Sequence, residues 1–403
     1  MTGPEHRRSW RRQRRSLAVI AGAAALVATV GACSSANSSS SSTASSSAAA
    51  AATGGSATTA GSTTSSCLAA ANNYLKPWDS LPTTLSSAYT PLSMKPPTGD
   101  TIIQMVNGTI PSDQQSYQEL VIAAQAIGWK AKEIVFNGTV EDLNAKFEQA
   151  ISDKPTAITE AGWPPAALLR ALADAKAAGI VVGLNSVVDL ASSYPGYASN
   201  TNGAATAKQI GEMNAYMFMR DSGCKGSVAI FNLAEFPILV IATNAFQATV
   251  KANCPDCKVS YNAVQSTDIG TPALPSAVVS ALQSSPSTKY VYAIIGNVAD
   301  GLPQALSQAG ITGVKIFGQV PDATSIAALR DGTNAWWIDQ SSLMNGWTAL
   351  DGVLRVMEAK QPISDTGGYP LAILTPQNVP AGTSIPVYPA DYQSEFQKLW
   401  GVG

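Results

Sequence analysis

Residues 171–186 read ALADAKAAGIVVGLNS. A helical stretch ends at Gly179, an apolar run follows, and the run stops at Asn185 and Ser186. Glycine is the usual residue where a helix must turn out of its last carbonyls. A short apolar run bounded in this way is a buried strand, and in an α/β sheet its carboxyl end opens toward a ligand crevice. The strand therefore delivers an amide and a hydroxyl to that crevice, and no charge.

Working outward, the same unit recurs. TIIQMV (101–106) is a strand, and Ser112 and Gln115 form a capping-box pattern ahead of apolar residues at helical spacing. KEIVF (132–136) and TAITEA (156–161) are the next strands, with a helix marked by Leu143, Phe147, Ala150 and Ile151 between them. Pro164 and Pro165 suit a first helical turn, with Leu168, Leu169 and Leu172 facing inward. After a crossing segment at 204–220 the rhythm restarts with SVAIFN (227–232), KVSYNAV (258–264), KYVYAIIG (289–296) and VKIFGQV (314–320). Helices near 238–252, 273–284, 299–309 and 323–331 lie between and after these strands. Strands alternating with helices mean parallel sheets covered on both faces. The fold class is α/β, with two doubly wound parallel-sheet lobes facing each other across a cleft.

The first 66 residues read differently. Arg7, Arg8, Arg11, Arg12, Arg14 and Arg15 precede an apolar stretch from Leu17 to Val30, the pattern of a secretory signal over 1–32. Val30-Gly31-Ala32-Cys33 resembles a bacterial lipobox, which implies cleavage before Cys33 and lipidation of its thiol. Arg14-Arg15-Ser16-Leu17-Ala18 loosely resembles a twin-arginine signal. From Ser34 to Ser66 the chain is almost only Ser, Ala, Thr and Gly, too polar to offset the entropy of ordering. Residues 33–66 are expected to be a disordered tether with a mean reach of about 30 Å, and 67–98 a lead-in to the first lobe.

Removing the signal takes the net charge from −2 to about −7 and removes His6, the only histidine. An acidic mature chain is no nucleic-acid binder. Lack of histidine excludes Ser-His-Asp and Cys-His catalysis and His-ligated zinc. Four cysteines remain, Cys67, Cys224, Cys254 and Cys257, and outside the membrane they are disulfide candidates. Cys254 and Cys257 can pair locally, or Cys224 can take one of them. A metal or redox use of the CxxC lacks a thioredoxin-like strand–CxxC–helix context. No cofactor is expected.

LRDGTNAWWIDQSSLMNG (329–346) is the most specific stretch, and it resembles the DG-x7-Q-x5-G segment of the type I periplasmic binding proteins, ribose-binding-like branch. NGTIPSD (107–113), ALADAKAAGIVVGLNS and SQAGITGVKIFGQVPDATSIAALRDG (307–332) resemble other segments of that family, in the same order, and the resemblance covers roughly 99–403. It implies lobes of about 99–201 plus 341–372 and 202–340 plus 373–403, joined by three hinge crossings and closing on one small molecule. It also implies a monomer that delivers its ligand to the membrane permease of an ABC importer.

Strand ends and the resemblance together nominate the ligand contacts: Asn107, Ser112, Asp113, Glu160, Trp163, Asn185, Ser186, Phe236, Asn297 and Gln340. Further strand-end positions are Asn232, Glu235, Gln265, Asp268, Gln319 and Asp339. Gln340 falls on the family's hinge glutamine. Asn185 and Ser186 fall where the family's sugar binders carry an Asp-Arg pair, Ile295 near their asparagine, Val320 near their late aspartate and Val240 near their arginine. The expected ligand is therefore small, uncharged and poor in hydroxyls. Trp163 either stacks on it or caps the following helix, and one of Trp336 and Trp337 faces the core. A sensor role, with the same fold presented to a membrane kinase, is the alternative. An extracellular enzyme would need a carboxylate pair such as Glu160 and Glu235.

Overall fold

The alternation read from the sequence builds two parallel sheets. The structure is a computed structural model that describes residues 57–188, 197–360, 363, 368–382 and 385–403, all within the unit Gly54–Gly403. The expected signal, Cys33 and the tether up to residue 56 lie outside the described residues.

The described chain begins with helix α1 (Ala57–Leu75), inside the stretch expected to have no structure. Cys67, Ala71 and Leu75, one helical face just after that small-residue run, are buried against the core. Lobe 1 follows: β1 (Thr101–Asn107), α2 (Pro111–Ala126), β2 (Lys130–Phe136), α3 (Val140–Ser152), β3 (Ala157–Ala161), α4 (Leu169–Ala177), β4 (Val181–Asn185) and β5 (Tyr197–Asn200). Its sheet order is β2-β1-β3-β4-β5. Thr139 caps α3 by accepting from the Asp142 N–H. Helix α2 differs from the capping-box expectation. Pro111 takes its first turn, Ile110 falls at the cap without a side-chain bond, and Ser112 is left inside the helix start.

Lobe 2 contains α5 (Ala204–Asp221), β6 (Ser227–Leu233), α6 (Pro237–Asn253), β7 (Lys258–Val264), α7 (Ala273–Ser284), β8 (Tyr290–Ile295), α8 (Leu302–Gln308), β9 (Lys315–Gln319), α9 (Ala323–Arg330) and β10 (Asn334–Asp339). After α10 (Ser342–Ala359) comes β11 (Ala372–Leu374), which pairs antiparallel with β10 and completes the order β11-β10-β9-β8-β6-β7. The all-apolar YVYAII of β8 is buried at every position, as a central parallel strand requires. Trp336 and Trp337 were expected to divide between core and surface. Both are buried, because sheet two is covered on both faces: Trp336 stacks on Phe317 at 4.2 Å and donates to Asn214 Oδ1, and Trp337 packs over Gly318.

Helix α10 packs on α2, β4 and β5 of lobe 1. The last helix, α11 (Tyr392–Leu399), differs from the expectation that 373–403 joins lobe 2. It packs on α10, where Trp347 stacks on Phe396 at 5.9 Å and on Trp400 at 5.4 Å. At the other end α1 packs on α5 of lobe 2, fixed by a Cys67–Cys224 disulfide. Cys254 pairs with Cys257. The sulfurs of Cys67, Cys224 and Cys254 lie within 4.8 Å of one another, but all three are consumed in disulfides and are not thiolate ligands.

Candidate functional site

In each sheet the strand order reverses between two neighbours, β1 and β3 in lobe 1 and β6 and β8 in lobe 2. Loops leaving the carboxyl ends of such strands diverge and open a crevice. The two crevices face each other across a cleft of about 730 Å3, open solvent included. Lobe 1 contributes Ile110, Ser112 and Asp113 after β1, Ala161 and Gly162 at β3, and Ser186 after β4. Lobe 2 contributes Leu233 and Phe236 at β6, Ile238 and Leu239 from α6, and Ile295, Gln319 and Val320 from the ends of β8 and β9. Gln340 comes from the hinge, with Ala207 and Asn345 from the flanking helices. The wall is mostly apolar, and Asp113 is its only charged side chain among the described residues.

Gly162 has φ +95°, and a Cβ there would stand 3.3 Å from Phe236 Cδ1. Only glycine takes this conformation without strain and lets the two lobes approach here. Next to it Trp163 meets Phe236 edge-on, with centroids 5.5 Å apart. An aromatic pair therefore spans the cleft. On the opposite wall Val320 has φ +49°, an outlier for a β-branched residue. Its N–H donates to the Ile338 carbonyl, and its own carbonyl accepts from Gly296 N–H, which holds it there.

The acidic residues lack cationic partners. Asp113 sits in the first turn of α2, and its Oδ2 accepts the Asn107 N–H at 3.1 Å. Burial pushes its carboxyl up to about 7 against the lowering effect of that bond. Glu160, 2% exposed, accepts the Trp163 N–H on Oε1 at 3.1 Å and leaves Oε2 buried without a partner. Burial holds its pKa well above the ordinary carboxylate value, and the charge of Asp113 adds to the rise. Asp339, at the end of β10, is pushed up to about 8 by burial alone.

Several nominated residues are occupied by the fold. Asn185 donates to Thr201 Oγ1 and Thr348 Oγ1 at 2.8 and 3.3 Å, locking β4 to the hinge, and its own oxygen accepts from Ser186. Ser186, at φ +55°, also accepts from Asn202 and lies on the cleft wall while its neighbour does not. Asn107 Oδ1 accepts from the N–H and hydroxyl of Thr109 and shapes the first loop, while its amide nitrogen is buried without a partner. Asn297 donates to Asp322 Oδ2 at 2.7 Å, behind the cleft wall, where Asp322 caps α9. Glu235 accepts the Ser266 N–H, so the carboxylate pair that catalysis would need is divided between two local tasks.

Ser112, Asp113, Ser186, Phe236 and Gln340 are brought together on the wall; Glu160 and Trp163 lie against it. Residues missing from the nomination are mainly apolar: Ile110, Leu233, Ile238 and Leu239. Their positions beside strand ends were the available signal. Asn345, which accepts from Tyr369, sits one turn beyond Gln340. Gln319 accepts from the Tyr292 hydroxyl at 3.0 Å.

A family model described as a periplasmic binding protein domain matches residues 106–361. No curated protein matches the chain by sequence. Among solved structures, a sugar ABC transporter protein from Yersinia enterocolitica is 17% identical, with a TM-score of 0.64 over 76% of this chain and 96% of its own. An ABC transporter solute-binding protein from Mycobacterium smegmatis with bound glycerol is 20% identical, at 0.59 over 71% and 99%. One from Actinobacillus succinogenes with bound D-allose is 18% identical, at 0.60 over 70% and 99%. At these identities the likeness is one of fold.

Proposed function

The chain belongs to the periplasmic binding protein domain family, and on that footing we propose that it is a lipid-anchored solute-binding protein feeding an ABC importer. Cys33 would carry the lipid. The cleft would capture one small molecule and hold it between the lobes until the permease receives it.

The observation that carries this reading is the composition of one wall from both sheets. Asp113, Gly162 and Ser186 stand on one side, Phe236, Ile295 and Val320 on the other, and Gln340 on a crossing between them. A molecule touching both sides favours the closed arrangement by its contacts, which is how ligand and closure become linked.

Two of the similar proteins hold glycerol and D-allose. In this chain a ring of hydroxyls would face the side chains of Ile110, Ile238, Leu239, Ile295 and Val320, which offer no hydrogen-bonding atom. Each hydroxyl buried without a partner costs roughly 1–3 kcal/mol. The ligand is therefore a small molecule with an apolar body and one polar end, the polar end lying toward Ser112, Asp113, Gln340 and Asn345.

A thermal-shift panel of sugars, polyols, alcohols, amines and aromatic compounds tests the reading, followed by solution scattering with the best stabiliser. A solute present at 100 times its dissociation constant adds about 2.7 kcal/mol of stability. The expected result is a raised melting temperature and a smaller radius of gyration. Stabilisation by no class of solute overturns the proposal.

A further inference from the structure

We propose that the polar end of the ligand is a protonated amine, received by Asp113 and Glu160 beside the Phe236 ring. This rests on the solute-binding reading above and names the chemistry of that same cleft. It also revises the expectation of an uncharged ligand, which rested on Asn185 and Ser186 standing where the family's sugar binders carry a charged pair.

The first support is charge. No lysine or arginine is among the residues lining the cleft, and the one ionisable group on its wall is a carboxyl. Just behind that wall, in β3 and two residues before Gly162, Glu160 carries a second carboxyl. An anionic ligand would meet both. A cationic one would meet a carboxyl at the wall and, among the described residues, no opposing cation.

The second support is the unused oxygen. Glu160 is 2% exposed, holds one backbone N–H, and leaves Oε2 without any donor. A buried polar atom left unpaired is costly, and an unpaired buried carboxyl more so. Asn107 and Trp163, whose backbone N–H groups bind Asp113 and Glu160, have side-chain nitrogens that are buried and unpaired as well. An unpaired carboxyl oxygen next to the cleft wall is a group that a ligand's donor can satisfy.

The third support is stoichiometry. The charge of Asp113 raises the cost of ionising Glu160, as like charges in a low-dielectric site do. With Glu160 held well above the carboxylate range and Asp113 pushed up to about 7, the site carries at most about one negative charge just above neutral pH. One ammonium group matches one charge. From β1, Asn107 N–H faces Asp113 and Gln104 binds its backbone carbonyl; across the cleft Leu233, Phe236, Ile295, Gln319 and Val320 bring no charge. The Phe236 ring, buttressed edge-on by Trp163, adds an aromatic surface of the kind that attracts cations.

Matched probes on the full mature chain test the proposal: benzylamine, benzyl alcohol and benzoate, with butylamine, tetramethylammonium and glycerol alongside, in thermal shift and calorimetry at pH 8 and pH 5. Benzylamine is expected to bind at least about tenfold more tightly than benzyl alcohol, and benzoate not at all. Its affinity is expected to fall by about tenfold or more from pH 8 to pH 5, as Asp113 takes up a proton. Asp113→Asn is expected to abolish the preference of amine over alcohol, read as the ratio of the two affinities in the same variant. A preference for the alcohol, an amine affinity independent of pH, an unchanged preference in Asp113→Asn, or no binding by any amine overturns the inference. Binding of glycerol or benzyl alcohol in that case leaves the solute-binding reading intact. Silence of all the probes, together with the broader panel, removes both.

Discussion

Asp113→Asn should make the protein more stable at alkaline pH and leave it unchanged in acid. The Asp113 carboxyl sits at about 7 against an ordinary 3.8, because burial opposes its ionisation. A raised carboxyl pKa means the folded chain binds the proton more tightly than the unfolded one. Below about pH 4 both states hold it and there is no cost. Between pH 4 and pH 7 only the unfolded chain ionises, and stability falls by about 1.4 kcal/mol per pH unit. Above pH 7 the cost is constant, on the order of 4 kcal/mol from the full shift. Asp113 opens onto the cleft, so solvent reduces this to roughly 2–4 kcal/mol. Asparagine has the same shape and can still accept the Asn107 N–H. Removing the charge also relieves Glu160, which feels Asp113 through space. Urea denaturation at pH 4, 6 and 8, disulfides intact, reads the difference between variant and parent. The account requires a stabilisation that grows from near zero at pH 4 to its full value at pH 8. A variant that is less stable at pH 8, or equally stabilised at both ends, refutes the assignment of an uncompensated carboxyl in the cleft.

Other substitutions separate binding from folding. Gln340→Ala removes the amide that lines the cleft from the hinge; ligand affinity should fall by about tenfold, on the order of 1.4 kcal/mol, with the ligand-free melting curve unchanged. Equal affinity in calorimetry would take Gln340 out of the site. Gly162→Ala forces an L-residue to φ +95° and sets a methyl 3.3 Å from Phe236; it should lower stability by roughly 1–2 kcal/mol and also weaken ligand-induced compaction in scattering. Normal compaction would mean the lobes do not meet there. Replacing Cys67 and Cys224 together by serine opens a link spanning 157 residues, and should destabilise by up to roughly 5 kcal/mol in denaturant. No loss would mean that α1 contributes nothing to lobe 2.

The architecture was legible because its signals are local and repeated. Continuous apolar runs such as YVYAII, each followed by a helical period, define buried parallel strands whatever their neighbours are. Helix α1 was hidden because its burying face, Cys67, Ala71 and Leu75, is thin and follows a first half rich in serine and threonine. It folds against α5, and nothing local signals that contact. The placement of α11 depends on Trp347, Phe396 and Trp400 meeting across a long separation. In the cleft, strand ends pointed to the right loops but not to what each side chain does there. Asn185 and Asn297 stand at strand ends and are consumed by Thr201, Thr348 and Asp322. Ser186 reaches the wall because its backbone takes φ +55°. Glu160 was identifiable as a strand-end acid, whereas its missing partner is a property of packing alone.

The most direct test is a crystal structure of the protein with the solute that stabilises it most in the thermal-shift panel. The account predicts that solute between the lobes, its apolar body against Ile238, Leu239 and Ile295 and its polar end at Asp113 and Gln340. A stabilising solute bound anywhere else, with the cleft between Gly162 and Phe236 left as it is, would contradict it.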